Sequence, residues 1–282
     1  MGRVFLAALL ALCLSACAPF HKSLTAESRT KIREVDVRVV VAQETFMFTA
    51  QSPGVSAAMG GGLIPALIDA GIQQSRQKDL NAEIEAVVDP LLAYDFRAEA
   101  KQALGGITGQ PFPLKLGSMQ VLAAMPTKAQ HEARIAATRS GPAYMVLTLQ
   151  YALEPGLGAF TTRTTATLWQ DGAVEPSYRT AAIFQAPLEG GQRAEVIKRL
   201  TADDGLTMRT LMRDSVTETL RVVAIDIGSK SVAAAEGPRK SFVFNFRGTP
   251  SPVNGATLDD QPAGVVVRDQ IGALYSLRKV TP

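Results

Sequence analysis

The feature that most limits how this chain can fold is a set of long alternating runs arranged around Asp171-Gly172. Residues 143–153 place Met145, Leu147, Leu149 and Tyr151 two apart, the period of a strand with one buried face. Residues 160–169 and 174–184 read as two more strands flanking the Asp-Gly pair. Asp-Gly between such runs predicts a type I′ hairpin, because that turn needs φ > 0 at both central residues. A sheet of this kind needs cover, and residues 206–227 supply an amphipathic helix through Met208, Leu211, Met212, Leu220 and Val223. Asp203 or Asp204 is expected to cap that helix and Gly228 to stop it.

Upstream, Val35, Val37, Val39 and Val41 alternate with Asp36, Arg38, Val40 and Ala42, which predicts a strand that runs on through Phe46 and Phe48. Residues 78–92 carry an amphipathic pattern, with Leu80, Ile84, Val87, Val88, Leu91 and Leu92 on one side and Pro90 as a kink. Residues 96–104 read as a further helix capped by Asp95 and ended at Gly105-Gly106. Residues 114–124 suit a strand and residues 128–138 a short helix. Beyond a small, polar stretch at residues 230–239 the chain turns β-rich. Phe242, Phe244 and Phe246 alternate, Thr249-Pro250-Ser251-Pro252 is expected to interrupt, and residues 265–267 and 273–277 bracket Gly272 as a hairpin. The fold class expected is α/β in the α+β sense: a mixed, largely antiparallel sheet packed with helices, plus a small C-terminal β segment. The expected divisions are 1–16, 17–33, 34–234 and 235–282. The order helix, strand, strand, Asp-Gly turn, strand, helix over residues 128–227, with Ile135-Ala136-Ala137-Thr138 leading into Ala143-Tyr144-Met145-Val146-Leu147, resembles the fold of the curli secretion lipoprotein and the penicillin-binding-protein activators. Residues 78–104 and the C-terminal β segment fall outside that pattern.

The start of the chain carries an address. Arg3 precedes an uncharged apolar run, Val4 to Leu14, which is too short for the roughly 20 apolar residues of a membrane span but suits a signal-peptide core. It ends in Leu14-Ser15-Ala16-Cys17, which resembles the lipobox of bacterial lipoprotein precursors. In that family the cysteine thiol receives a diacylglyceryl group, the chain is cut before it, and the new amine is acylated. The resemblance therefore implies lipidation at Cys17, a removed signal at 1–16, a lipidated tether at 17–33, and the membrane as a partner. Ala18 stands where an Asp would resemble an inner-membrane retention signal, which implies the outer membrane with the body facing the periplasm. The only other cysteine, Cys13, lies in the removed segment, so the mature body has no disulfide, thiolate ligand or cysteine nucleophile. It has to be held by its core, and a chain 46% hydrophobic and 20% charged can form one. The net charge of +3, or +2 without Arg3, is no nucleic-acid footprint.

Chemistry-bearing motifs are sparse. Of the two histidines, His21 is expected in the tether with no pocket around it, and His131 on a solvated helix face. No metal-ligand spacing and no cofactor fingerprint occurs, so no catalytic, metal or cofactor residue is assigned. Ser28-Arg29-Thr30-Lys31 spells Ser-x-x-Lys, but no Lys-Thr-Gly follows it. Gly60-Gly61-Gly62 could cradle an anion, yet no Gly-Lys-Ser/Thr follows. With Ala66 and Ala70 these glycines instead make a small-residue segment expected to serve close helix packing or self-association. Glu85 and Asp89 share a helical face and could pair as acid and base, though they also form the polar half of an amphipathic helix. Trp169 beside the turn could stack on a sugar, or pack across the hairpin on Val174. The function expected is a non-enzymatic envelope lipoprotein that binds a protein partner or supports an assembly, with self-association open. The alternatives are a carboxylate-based periplasmic hydrolase and a carrier of a small ligand or lipid.

Overall fold

The computed structural model describes residues 21–41, 96–107, 112–153, 157–188, 192–229, 239–246 and 249–278. The elements in chain order are α1 (Ala26–Lys31), β1 (Val35–Val41), α2 (Phe96–Ile107), β2 (Leu116–Leu122), α3 (Lys128–Ala137), β3 (Ala143–Leu153), β4 (Ala159–Trp169), β5 (Tyr178–Pro187), α4 (Arg193–Gly228), β6 (Lys240–Phe246), β7 (Thr249–Gln261), β8 (Gly264–Asp269) and β9 (Leu274–Arg278). The strands form one nine-stranded sheet in the order β2-β1-β3-β4-β5-β9-β8-β7-β6. β1 runs parallel to both β2 and β3, and β5 parallel to β9; the other five pairings are antiparallel. The fold is thus α/β with a mixed, largely antiparallel sheet, and the C-terminal strands continue the sheet through the β5–β9 pairing.

The side-chain period of two sorts the sheet into two faces. On one, Val35, Val37 and Val39 of β1, Met145, Leu147 and Leu149 of β3, and Phe160, Ala166 and Leu168 of β4 are buried under α4. Met208, Met212, Val216, Leu220, Val223 and Ile227 of α4 meet them at spacings of three and four. α2 packs on α4 and β2 and buries Ala100 and Leu104. Two threonines also point into this core. Thr162 donates to Ser215 (2.7 Å) and Thr164 to Thr219 (2.8 Å), while Ser215 and Thr219 pass their own protons to the helix carbonyls of Met212 and Ser215 (2.7 and 2.9 Å). Each buried hydroxyl is satisfied, which removes the desolvation cost of about 1–3 kcal/mol that an orphan would carry.

Several sequence expectations change in detail. The Asp-Gly turn forms as expected, with Asp171 at φ 58°, Gly172 at φ 69°, and the Ala173 N–H donating to the Gln170 carbonyl (3.1 Å). The strand after it begins at Tyr178 rather than at 174, because the pairing of β4 with β5 starts at Leu168↔Tyr178 and the turn sits on a wider loop. α4 is two helical stretches joined across the non-helical residues 202–205, so a helix begins at residue 206 as expected and a further stretch from Arg193 precedes it. Asp203, Asp204 and Gly205 form a left-handed turn just before residue 206, at φ 50°, 59° and 74°. α2 continues through Gly105 and Gly106 to Ile107. Thr249-Pro250-Ser251-Pro252 does not interrupt the strand but opens β7. Up to residue 254 that strand has β6 on one side and no other described strand, and two prolines two apart lose their N–H groups on a single edge. The expected helices over residues 55–92, with Gly60, Gly61, Gly62, Ala66 and Ala70, lie outside the described residues, as does the boundary stretch 230–238. Among the described residues no helix is long and apolar enough to cross a membrane.

Candidate functional site: the docked N-terminal segment

The residues just after the proposed lipidation position are not a loose linker where they are described. Lys22 exchanges both backbone hydrogen bonds with Arg179 at the start of β5 (2.8 and 2.9 Å), so the segment adds a one-residue bridge to the sheet. Leu24 is buried in the main core. Thr25 then caps α1 by accepting from the Ser28 N–H (3.0 Å). Arg29 donates to the Ser229 carbonyl (2.8 Å), placing a cation where the unpaired carbonyls of α4 concentrate negative charge. The segment crosses the end of the sheet at which β1, β3 and β5 start, and passes beside the last turn of α4.

His21 corrects the expectation of an empty surrounding. It is half-buried, its Nδ1 lies 3.3 Å from the Thr180 hydroxyl and its Nε2 2.8 Å from the Ser23 hydroxyl. The β8–β9 turn closes over it. Gly272, at φ 88°, approaches so closely that a Cβ there would lie 2.5 Å from the His21 side chain. Asp269 shapes this turn by accepting the Ile271 and Ala273 N–H groups (2.9 and 2.8 Å). Burial pushes the His21 pKa down, and the nearby Arg268 charge adds to this against the pull of Asp226 and Asp269. Burial also raises the Asp269 carboxyl, in spite of those backbone donors.

Behind His21 lies a buried polar knot. Asp226, on the last turn of α4, accepts from the Tyr178 hydroxyl (2.8 Å) and pairs with Arg268 of β8. The side chains of Arg268 and Asp226 are 5% and 1% exposed. Burial, then the Asp226 charge, keeps the Tyr178 phenol protonated far above its ordinary range. The Arg268 Nε and Nη1 have no hydrogen-bond partner among the described residues, so Asp226 carries the neutralisation. A second link stands further along α4: Arg221 binds Glu218 (2.7 Å) and Asp259 of β7 (2.5 Å), and Ser276 of β9 donates to Glu218 (2.6 Å). Both links tie the C-terminal strands to α4.

The opposite face holds a smaller cluster. His131 of α3 is half-buried, not solvated, with its ring 4.6 Å from Trp169 and 5.6 Å from Tyr144. Trp169 donates to the Val174 carbonyl (3.2 Å), so Val174 engages it through the backbone while its own side chain is 86% exposed. Thr138 accepts the Gly172 N–H (2.9 Å), pinning the Asp-Gly turn to the end of α3. Near it, Asp36 accepts from the Ser118 hydroxyl and N–H (2.7 and 2.9 Å); burial opposes its charge, and these donors still hold its carboxyl below the usual range.

The Ser-x-x-Lys residues lie on α1, where Lys31 pairs in solvent with Glu27 (2.7 Å). Gly228 and Ser229 end α4 as the sequence suggests, with the Ser229 N–H on the Ile225 carbonyl (2.9 Å). Cys17, Glu85 and Asp89 lie outside the described residues. Sequence reasoning missed the docking of His21 and the Tyr178–Asp226–Arg268 knot; the available signal was Asp226 inside the apolar run of residues 222–227 and Arg268 directly after three valines. Comparison with known proteins finds no family model that matches the chain and no curated protein similar to it.

Proposed function

We propose that the protein is a lipid-anchored lipoprotein of the bacterial envelope, attached through Cys17 to the outer membrane and facing the periplasm. Its body is a non-enzymatic binding or assembly component that works against a protein partner. The observation that carries this reading is the sequence Leu14-Ser15-Ala16-Cys17 directly after an uncharged apolar run. Two features of the body support it. The segment after Cys17 docks by backbone pairing, which suits an anchor meant to hold the body in one attitude. The buried charges Asp226 and Arg268 face each other and link elements, a structural use of ionisable groups. Several acyl chains, at about 0.8 kcal/mol per buried CH₂, make such an anchor permanent on the cell's timescale. Metabolic labelling with palmitate compares the wild type with Cys17→Ala: label in the first and none in the second is expected, and equal label in both refutes the anchor. Co-purification from detergent-solubilised envelopes tests the assembly role; a body recovered at every step without a stoichiometric companion refutes it.

A further inference from the structure

Cys17 precedes His21 by four residues, so the chain between them spans at most about 14 Å even when fully extended. From His21 on, the chain is fixed to the body by the Lys22–Arg179 bridge, by buried Leu24 and by Arg29 on Ser229. A lipid at Cys17 therefore cannot lie far from this end of the sheet. The inference rests on the lipid anchor proposed above. We propose that the end of the sheet where residues 21–34 dock is a membrane-facing surface, seated on the anionic headgroups of the bilayer that holds Cys17.

The composition of that end fits a headgroup layer. Lys22, Arg33 and Arg139 are exposed there, and Lys31 and Lys115 add charge that Glu27 and Glu34 partly offset. The Asp171-Gly172 turn lies at the same end, because β4 ends beside the start of β3 and the Gly172 N–H is held by Thr138. Apolar tips project beside these cations. Val174 is 86% exposed on the β4–β5 loop and Ile271 57% exposed on the turn that covers His21. Val243 is 70% exposed on β6, three register positions past the Lys240↔Gly255 pair, where the β6–β7 hairpin overhangs the end of β8. Five basic side chains stand at this end against the acidic Glu27, Glu34, Asp171 and Glu175, and with the short apolar tips they match an interface in which headgroups take the net positive charge and the upper acyl region takes the tips. Met125, also 57% exposed, lies beyond the far end of β2, which spans about 20 Å at a rise of about 3.3 Å per residue.

The test uses the absence of any other thiol in the mature chain. Val174→Cys, Ile271→Cys and Met125→Cys, each in the full lipidated protein, are labelled with a fluorophore in phosphatidylethanolamine–phosphatidylglycerol vesicles containing headgroup spin-labelled lipid. Strong quenching at positions 174 and 271, several-fold above that at 125, is the expected result. Equal quenching at all three positions overturns the membrane-facing surface and leaves the lipid anchor standing. A purified chain whose mass lacks the acyl groups overturns the anchor itself, and this inference with it.

Discussion

Asp226→Asn isolates what the buried knot contributes. The substitution keeps an acceptor for the Tyr178 hydroxyl and nearly the same volume, but it removes the charge that, among the described residues, pairs with Arg268. Because the Arg268 Nε and Nη1 lack partners among the described residues and its side chain is 5% exposed, no nearby group takes over. Breaking a buried ion pair on one side costs about 3–5 kcal/mol, a large share of a native stability of about 5–15 kcal/mol. With a urea m-value near 3 kcal/mol/M, the unfolding midpoint should fall by roughly 1–1.7 M. The double variant Asp226→Asn with Arg268→Met keeps the acceptor for the Tyr178 hydroxyl, replaces the unpaired cation with apolar volume, and should recover most of that loss. Urea unfolding followed by far-UV circular dichroism and tryptophan fluorescence, through Trp169, measures the wild type, both single variants and the double variant. If the double variant is as unstable as the two single changes added together, the cost does not come from an uncompensated charge and the reasoning fails.

Three further outcomes follow from the same geometry. Burial lowers the His21 pKa below 6.5, so around that pH the unfolded chain binds the proton more readily than the folded one. Stability is then fully present above pH 6.5, falls as the pH drops below it, and levels off under the folded value; His21→Gln should flatten this segment of the midpoint-against-pH curve. Gly255→Ala should cost about 3 kcal/mol by thermal melting, because a Cβ there would stand 2.3 Å from the Arg268 carbonyl oxygen and 2.5 Å from Val267. Gly105→Ala meets nothing within 4 Å on a helix and should stabilise by about 0.4–1 kcal/mol in the same assay, so a shift in the wrong direction for either glycine counts against the packing described.

The parts legible in the sequence were those in which one residue's neighbours repeat a pattern. Strand β3 was read to the residue because Met145, Leu147, Leu149 and Tyr151 alternate without a break. The start of α3 at residue 128 was also read, and there Thr127 and Gln130 satisfy each other's backbone groups three residues apart. The helix start at residue 206 was legible, but the helical stretch from Arg193 before it was not, and both are buried in one core through Leu200 and Met208. The proline-bearing start of β7 was misread because whether a missing N–H matters depends on which edge is open, and that is settled by the neighbouring strands.

By itself, then, the sequence determined the strands with a strict period of two, the Asp-Gly turn, the amphipathic cover of residues 206–227 and the α/β class, because each follows from interactions among residues close in the chain. Only the tertiary structure decided that β9 joins β5 and so carries the C-terminal segment into the same sheet. It alone brought His21 to Thr180 across 159 positions, and Arg268 to Asp226 across 42. Such contacts leave no local trace in the chain. A histidine in a polar stretch or an arginine among valines looks the same in sequence whether it meets water or a buried partner, and it is the closing of the sheet that makes the difference.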